Sequence, residues 1–361
     1  MKKSKYSLMS IVVISLIMMI AACGSPPKPA ESESNEDNAE SSNGSESLTV
    51  AIFGGSWGDA IKENLIKPFE EEHGVKVNLV EGTSSVTLSQ LKQEKNSPTF
   101  DVALMDSGIS ELAYEEGLVE TFDISEFADA GSLIDQGIQK DGDEVFGVAL
   151  GYWGLGLIYN TEKIETPPKS WMDLWKPEYE DVVTIPSPDT TGGLPLVTKI
   201  AEEEGSIDAA FEKLSELKAI AYFDGSGSAD NLYQTSEAWI GAHYGGPAWS
   251  LKDDGVPVEF VVPEEGVLGA GSYWHLVNGA PNKELATKFL EKSIGVEAQK
   301  GVAEHLYLAP VNKDVELSEH ALERMPFGKD GSIDDIYMPD YQNINENRSE
   351  WVERWNREVV Q

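Results

Sequence analysis

The stretch LTVAIFGGSWGDAIKENLIKPFEEEHGVKVNLVE, residues 48–81, predicts a strand, a helix and a second strand in succession. LTVAIFG is an apolar run, and VKVNLVE carries polar residues at every second position. Between them, GDAIKENLIKPFEEEHG has helical spacing and ends at Gly74, the residue type that most often follows a helix. Two strands joined by a helix are the unit of a parallel α/β sheet.

The chain continues in the same alternation. Ser84 or Ser85 is expected to cap a short helix that runs to Glu94, DVALM (101–105) is a third strand, and SGISELAYEEG (107–117) is a further helix. Ligands of open α/β sheets gather at the carboxyl ends of the strands. The loops GGSWG, after the first strand, and MDSG, after the third, are therefore candidate binding loops.

A glycine-studded apolar run, FGVALGYWGLGLIYN (146–160), is too long for an ordinary strand and predicts a segment that crosses between two lobes. Beyond it, VVTIPSP predicts a strand, residues 192–204 and 208–219 predict helices, and YWHLVNG predicts a return crossing. From Lys283 onward the pattern is mostly helical. Trp171 and Trp175 are four residues apart on a short helix, which favours core packing over ligand contact.

Residues 54–58, GGSWG, also match G-x-S-x-G, the nucleophile elbow of serine hydrolases. Such an elbow needs an oxyanion loop from an earlier strand, and Ser56 follows the first strand of the folded body. The pattern is also permissive in a chain with 33 glycines. A surface hydrolase that uses Ser56 is the alternative reading of this motif, and the protein is predicted not to be an enzyme.

The N-terminus predicts export and a lipid anchor. Lys2, Lys3 and Lys5 precede an apolar run from Leu8 to Ile20, followed by small residues and Cys23. This order is typical of a signal peptide, here 1–22, and the residues around Cys23 resemble a lipoprotein cleavage site. Residues 23–47 then form the lipidated cysteine and an acidic tether without large apolar residues, predicted to be disordered. The location is predicted to be extracytoplasmic on the cell membrane, on the periplasmic side if the host has an outer membrane.

The composition excludes several classes of function. The formal net charge is −36, which argues against binding nucleic acid or anionic lipid headgroups. It is explained either by solubility in a salty or alkaline exterior or by attraction of a cationic ligand. Cys23 is the single cysteine and the five histidines show no metal-binding spacing, so neither a metal nor a cofactor is predicted.

Six segments, in order, resemble a known family: GGSWGDAIKENLIKPFEEEHGVKV, FDVALMDSG, GYWGLGLIYN, SWMDLWKPEYEDVVTIPSP, AWIGAHYGGPAWSL and VVPEEG. Together they are similar to the extracellular solute-binding proteins of ABC importers, in the branch that includes spermidine/putrescine-binding proteins. The resemblance implies an α/β fold of the two-lobed, type II periplasmic-binding-protein kind. Each lobe is then a mainly parallel sheet flanked by helices, and crossing strands form the hinge.

The expected domains are a first lobe of residues 48–150 plus 271–308 and a second lobe of residues 151–270 plus 309–361. The protein is expected to be a monomer that captures a small molecule between the lobes and delivers it to a membrane permease and its ATPase. A lipoprotein that senses the same ligand for a membrane receptor is not separated from this role by the sequence.

The resemblance also implies a set of ligand-binding residues. They come from the loops after the predicted strands, from the first crossing and from the second lobe: Ser56, Trp57, Asp59, Asp106, Ser107, Trp153, Asp189, Thr190, Thr191 and Tyr244. Tyr273 and Trp274, in the predicted return crossing, are further candidates for aromatic contacts with the ligand. Carboxylates and aromatic faces suit an ammonium group. Asp106 could instead cap the helix that follows it, and the backbone near Thr190 could hold a phosphate or carboxylate.

One departure from the family pattern concerns the ligand. Polyamine binders carry Trp-x-Asp shortly after P-x-EG, whereas Gly266 is followed by VLGAGSYWHL, which has no acid. A polyamine-like cation or amine remains the main expectation. A zwitterionic amine, such as an opine, an amino acid derivative or an aminophosphonate, is the alternative.

Overall fold

The computed structural model describes residues 47–329 and 331–360. The predicted signal peptide, Cys23 and nearly all of the predicted tether lie outside the described residues. The strands are β1 (Ser47–Ile52), β2 (Lys76–Glu81), β3 (Val102–Asp106), β4 (Ile138–Asp141), β5 (Glu144–Asn160), β6 (Val183–Pro186), β7 (Ala219–Phe223), β8 (Ile240–Tyr244), β9 (Val258–Val261) and β10 (Leu268–Leu276).

The helices are α1 (Ser56–Ile61), α2 (Lys67–His73), α3 (Ser84–Gln93), α4 (Ile109–Glu115), α5 (Gly193–Glu204), α6 (Ile207–Ser215), α7 (Ser226–Gln234), α8 (Gly245–Asp253), α9 (Lys283–Ser293), α10 (Val296–Leu306), α11 (Glu319–Leu322) and α12 (Tyr341–Glu358). A π-helical turn, Lys62–Ile66, joins α1 to α2. Short 3₁₀ turns cover Ile124–Glu126, Ala130–Ser132, Asp135–Gly137, Trp171–Trp175, Pro177–Tyr179 and Ile333–Asp335. Within the described part of the chain, no helix is long and apolar enough to cross a membrane.

The strand–helix–strand unit predicted from residues 48–81 is confirmed. β1 pairs in parallel with β2, and the helix between them ends at Gly74 in the left-handed conformation. The cap of α3 differs from the prediction, because the side chain of Thr83, rather than Ser84 or Ser85, accepts a bond from the Val86 amide. Thr83 is the last residue with extended backbone, so its hydroxyl reaches the free amides of the first turn.

One sheet contains all ten strands, with a main order of β2-β1-β3-β10-β5-β8-β6-β7. Strands β1, β2 and β3 form a parallel patch, the first lobe, and strands β6, β7 and β8 form another, the second lobe. The long strand β5 and the return strand β10 run antiparallel between the patches. The predicted two-lobed α/β architecture with crossing strands is therefore confirmed.

The 17-residue strand β5 changes partners along its length. Its first half pairs with β4 and β10, and its second half pairs with β8 and β9. Gly156 lies where it meets β9, and a Cβ there would stand 2.5 Å from the ring of Phe260. The glycines that marked this run in the sequence thus permit close packing against the crossing strand.

Aromatic side chains fill the core on both sides of the crossing strands. In the first lobe, Phe289 of α9 packs edge-on against Phe69 of α2 and Trp274 of β10. In the second lobe Trp171 is fully buried, so the prediction that it packs in the core is confirmed. The tail from Lys283 onward is mostly helical, as predicted, because α9, α10, α11 and α12 make up more than half of it.

Asp101 fastens the start of β3 to its neighbours. Its carboxylate is fully buried and accepts bonds from the amides of Thr49, at 2.8 Å, and Asn282, at 2.7 Å. Thr49 belongs to β1, and Asn282 immediately precedes α9. One side chain therefore fixes the strand that ends in Asp106 to a neighbouring strand and to a helix.

We predict that Asp101→Ala lowers the free energy of unfolding by about 2–5 kcal/mol, because it leaves buried amides without an acceptor. Chemical denaturation measures this loss. Asp224→Ala removes an exposed carboxylate and is the matched control, with an expected change below about 0.5 kcal/mol. Equal stabilities of the two variants would contradict the assigned role.

Candidate ligand-binding site between the lobes

The buried carboxylate of Asp106 is the centre of the candidate site. Asp106 ends β3 and is 5 % exposed. Its Oδ1 accepts bonds from Ser272 Oγ at 2.6 Å and from Trp153 Nε1 at 3.1 Å. Its Oδ2 accepts a bond from Thr191 Oγ1 at 2.8 Å. Burial raises the pKa of this carboxyl group, and the hydrogen bonds from its neighbours partly oppose that effect.

These donors come from separate parts of the fold. Trp153 lies on β5 and Ser272 on β10, so both crossing strands contribute. Thr191 lies just before α5, in the loop after β6 of the second lobe. The Thr191–Asp106 bond therefore joins the two lobes directly. Asp106 does not cap α4, since the N-cap residue of that helix is Gly108.

An aromatic wall stands beside the carboxylate. The rings of Trp153 and Tyr244 meet edge to face, with centroids 5.1 Å apart. The Tyr244 hydroxyl accepts a bond from the Gly192 amide at 3.1 Å, which orients this ring from the start of α5. Burial, together with the charge of Asp106, raises the pKa of the Tyr244 hydroxyl. A carboxylate with aromatic neighbours and few water contacts is a suitable environment for an ammonium group.

A polar layer supports the loop that follows Asp106. Glu111 accepts bonds from the Gly108 amide, from Ser110 Oγ at 3.0 Å and from Gln139 Nε2 at 2.8 Å. Burial raises the pKa of the Glu111 carboxyl group. Ser107 is bound to the Gly271 carbonyl through its amide at 2.9 Å and through its hydroxyl at 3.3 Å. The loop is therefore fixed to α4 and to β10.

Tyr273 lies next to this layer. Its hydroxyl is 2.5 Å from the hydroxyl of Tyr152, and both oxygens are within 3.0 Å of the Gln136 carbonyl. Burial raises the pKa of the Tyr273 hydroxyl well above its ordinary value. Its neighbour Trp274 is fully buried and packs against Phe289. Successive residues of a strand point to opposite faces, so the two aromatic side chains separate.

The loop after β1 stands apart from the Asp106 cluster. Ser56 and Asp59 are exposed, and Asp59 lies 3.7 Å from Lys62. Trp57 is half-buried, with its ring edge-on to Phe53 at 5.3 Å. Within the described residues, no hydrogen bond connects this loop to Asp106.

In the loop before α5 of the second lobe, too, only some of the predicted residues contact the Asp106 cluster. Thr191 reaches Asp106, whereas Asp189 is exposed. The hydroxyl of Thr190 donates to the Ser187 carbonyl at 2.9 Å and so stabilises the turn before α5. The structure thus brings together Asp106, Ser107, Trp153, Thr191 and Tyr244 from the predicted set.

Several residues near the site escaped the sequence analysis. Ser272 donates to Asp106, and Ser84 Oγ accepts the Asp106 amide at 3.0 Å. Tyr341, at the start of α12, donates to the Gly269 carbonyl at 3.2 Å. The position of Ser272, next to the predicted return crossing, was a usable signal. Tyr341 gave none, because it lies more than 200 residues from Asp106 in a polar helix. Among the described residues, no cluster of three or more His, Cys, Asp or Glu side chains is placed to hold a metal ion.

Comparison with known proteins identifies what this architecture is similar to. A spermidine/putrescine-binding periplasmic protein of Salmonella typhimurium is 27 % identical over 313 residues, which are 82 % of this chain and 84 % of that protein. The gamma-aminobutyric acid-binding protein of Pseudomonas aeruginosa is 26 % identical over 332 residues, or 86 % of this chain and 92 % of its own length. The crystal structure of an ABC transporter protein from Clostridium perfringens superposes with a TM-score of 0.70 at 26 % identity, covering 86 % of this chain and 99 % of that one.

The family comparison decides between a binding protein and an enzyme. The family described as bacterial extracellular solute-binding protein matches residues 97–334, more than half of the chain. Its members are binding proteins of transporters, so the prediction that this protein is not an enzyme is confirmed and the role of Ser56 as a nucleophile is set aside. The chain belongs to the family of bacterial extracellular solute-binding proteins, and it is a substrate-binding protein of an ABC importer.

Proposed function

We propose that this protein captures a small molecule through an amino group held by Asp106, between the two lobes. The observation that carries the proposal is a buried carboxylate that has hydrogen-bond donors but, among the described residues, no cation within ion-pair distance. An ammonium group would supply the missing charge and donate further bonds. The amine-binding activities in the names of the two curated relatives support the same ligand chemistry.

Closure of the lobes is the proposed mechanism of capture. Thr191 and Tyr244 of the second lobe meet Asp106 and Trp153 at one place. A ligand that contacts both groups stabilises the closed state by its differential affinity for that state. We propose residues 48–150 plus 271–308 as the first lobe and residues 151–270 plus 309–361 as the second, with β5 and β10 as the hinge. The protein would act as a monomer that presents its ligand to a permease and its ATPase.

The other predicted ligand-binding residues remain part of the proposal, either as groups that support Asp106 or as contacts for a longer ligand. Ser107 and Tyr273 lie against the polar layer below the loop, where they position Asp106. Ser56, Trp57, Asp59 and Asp189 lie in the exposed or half-buried loops at strand ends. A ligand longer than the Asp106 cluster would reach them.

A thermal-shift panel tests the amine chemistry. We expect putrescine, γ-aminobutyrate or 2-aminoethylphosphonate to raise the unfolding midpoint by several degrees, since a ligand at 100 times its Kd adds about 2.7 kcal/mol. Butyrate and ethylphosphonate, which lack the amine, are expected to give no shift. Asp106→Asn should weaken binding at least about tenfold, whereas Asp143→Asn, at an exposed turn, should bind as the wild type does. A shift from the amine-free acids alone would refute the proposal.

We also predict that amine binding weakens on acidification. Burial raises the pKa of ligand-free Asp106, and binding a cation requires the ionised form. The raised pKa favours folding below the ordinary pKa of Asp, and this contribution is lost as pH rises through the folded-state pKa. At neutral pH the bound ammonium group then offsets the desolvation penalty of the ionised Asp106 carboxylate.

Titrations between pH 4.5 and 7.5 measure this dependence. Affinity should fall by up to tenfold per pH unit once the pH is below the pKa of ligand-free Asp106. Glu111 also has a raised pKa, so the comparison with Asp106→Asn isolates Asp106. The affinity ratio of wild type to Asp106→Asn should shrink at low pH, and a constant ratio would contradict the prediction.

We further propose that Cys23 carries a lipid that anchors the protein outside the cytoplasm. The support is the sequence pattern alone: three lysines, an apolar run and a small-residue site before the single cysteine. More than one acyl chain is needed for stable anchoring. We predict that Cys23→Ser abolishes incorporation of labelled palmitate in the native host and moves the protein from the membrane to the soluble fraction. Unchanged labelling would refute the anchor.

A further inference from the structure

Helix α12 has two neighbouring stripes of side chains that face different parts of the molecule. Ile344, Trp351 and Trp355 form the buried stripe. The ring of Trp355 packs edge-on against Tyr222 of β7, with centroids 5.3 Å apart. Arg354 donates to Asp208 of α6 at 2.7 Å. These contacts attach the helix to the second lobe.

The other stripe begins with Tyr341 and Asn345, which contact the loop that follows Asp106, and continues with Arg348, which contacts Asn345. Asn345 Nδ2 donates to the Gly108 carbonyl at 2.6 Å. The Tyr341 ring lies over the same glycine, because a Cβ at Gly108 would be 2.6 Å from Tyr341 Cδ1. Gly108 also has φ +87°, so no other residue fits this position without strain. A helix fixed to the second lobe thus reaches the binding loop of the first.

Arg348 is exceptional among the arginines because it has no carboxylate partner. The other three pair with acids: Arg324 with Asp253, Arg354 with Asp208, and Arg357 with Glu358. Arg348 donates one bond, at 3.1 Å, to the Asn345 side-chain oxygen, and its Nε is buried without a partner. No ion pair within 4 Å involves Arg348 in the described part of the chain.

The helix itself offers this guanidinium no acid. The residues three and four positions away are Ile344, Asn345, Trp351 and Val352, none of which is charged. A partly buried cation without a partner is costly, and in a chain with 63 acidic and 27 basic residues carboxylates are plentiful. The unused donors of Arg348 are therefore available to an anion from outside the chain.

Tyr341 interacts electrostatically with both Arg348 and Asp106. Burial, together with the charge of Asp106, raises the pKa of the Tyr341 hydroxyl, and the Tyr341 ring lies against Gly108 in the loop that follows Asp106. Tyr341 also acts on the guanidinium of Arg348, whose pKa is lowered by burial. Among the described residues, no ion pair joins Arg348 to Asp106, whose carboxylate accepts bonds from Ser272, Trp153 and Thr191.

We propose that Arg348 binds the acid group of a small zwitterion whose amine is held by Asp106. This inference rests on the proposed function, because it takes the amine position from there. The ligand class is an ω-amino carboxylic or amino phosphonic acid, since a guanidinium fork matches carboxylate and phosphonate oxygens. A diamine would place its second ammonium group near the guanidinium, and like-charge repulsion would disfavour it.

Titration calorimetry on the purified protein tests this assignment with γ-aminobutyrate, 2-aminoethylphosphonate, putrescine and butyrate. The variants are Arg348→Met, Arg348→Lys and Arg357→Met, the last being a control on the same helix with 65 % side-chain exposure. We expect Arg348→Met to bind γ-aminobutyrate and 2-aminoethylphosphonate at least about 30-fold more weakly than the wild type does. This variant should also lose the preference for these two zwitterions over putrescine. Arg348→Lys should restore part of that preference, and Arg357→Met should keep it. Unfolding midpoints without ligand check that each variant is folded.

The outcomes separate this inference from the proposed function. If the wild type binds amines but Arg348→Met weakens all of them equally, or none of them, the role of Arg348 is refuted and the amine site stands. If only putrescine binds, the inference is likewise refuted. If butyrate binds as well as γ-aminobutyrate and depends on Arg348, the anion site stands and the amine site fails. Absence of binding by every probe would overturn both.

Discussion

A carboxylate removed from water has to be stabilised by hydrogen bonds or by an opposite charge, and Asp106 shows how that requirement organises this fold. Its donors, Ser272, Trp153 and Thr191, come from β10, from β5 and from the loop before α5. Both crossing strands and the second lobe therefore have to be in place before the carboxylate is satisfied. The direct bond between the lobes at Thr191 is therefore also one of the bonds that satisfy Asp106.

The topology explains why these groups can meet. In the sheet, β5 and β10 lie between the parallel patch of β1–β3 and that of β6–β8. Asp106 ends β3, and Tyr244 ends β8, which pairs with the second half of β5. A ligand bound there contacts strand ends from both patches. Relative movement of the lobes then changes its contacts without disturbing either core.

The sequence predicted the residues whose position follows from the order of strands and loops. It did not predict which residues face the site where that depends on the direction of the side chain. Asp106 was expected at the carboxyl end of a buried strand, and it ends β3, while its contact with a ligand stays a prediction. Trp274 follows Tyr273 in one strand and packs in the core, so the pair could not face one side. Tyr341 contacts the loop after Asp106, and Arg348 bonds to Asn345 beside it, only because α12 docks on the second lobe. No local pattern in a polar helix encodes that docking, so a single sequence did not reveal them.

The proposed pair of ligand contacts, Asp106 for an amine and Arg348 for an acid group, bears on how the strongly acidic composition is explained. The charge of −36 would attract a cation from a distance. A zwitterion with no net charge experiences little of that attraction, and its recognition depends on separate contacts at its two ends. Several ion pairs of the described residues, such as Lys67–Glu63 and Lys218–Glu180, join exposed side chains, where each contributes little to stability. If the ligand is a zwitterion, the surface charge is better explained by solubility outside the cell, and selectivity resides in Asp106 and Arg348.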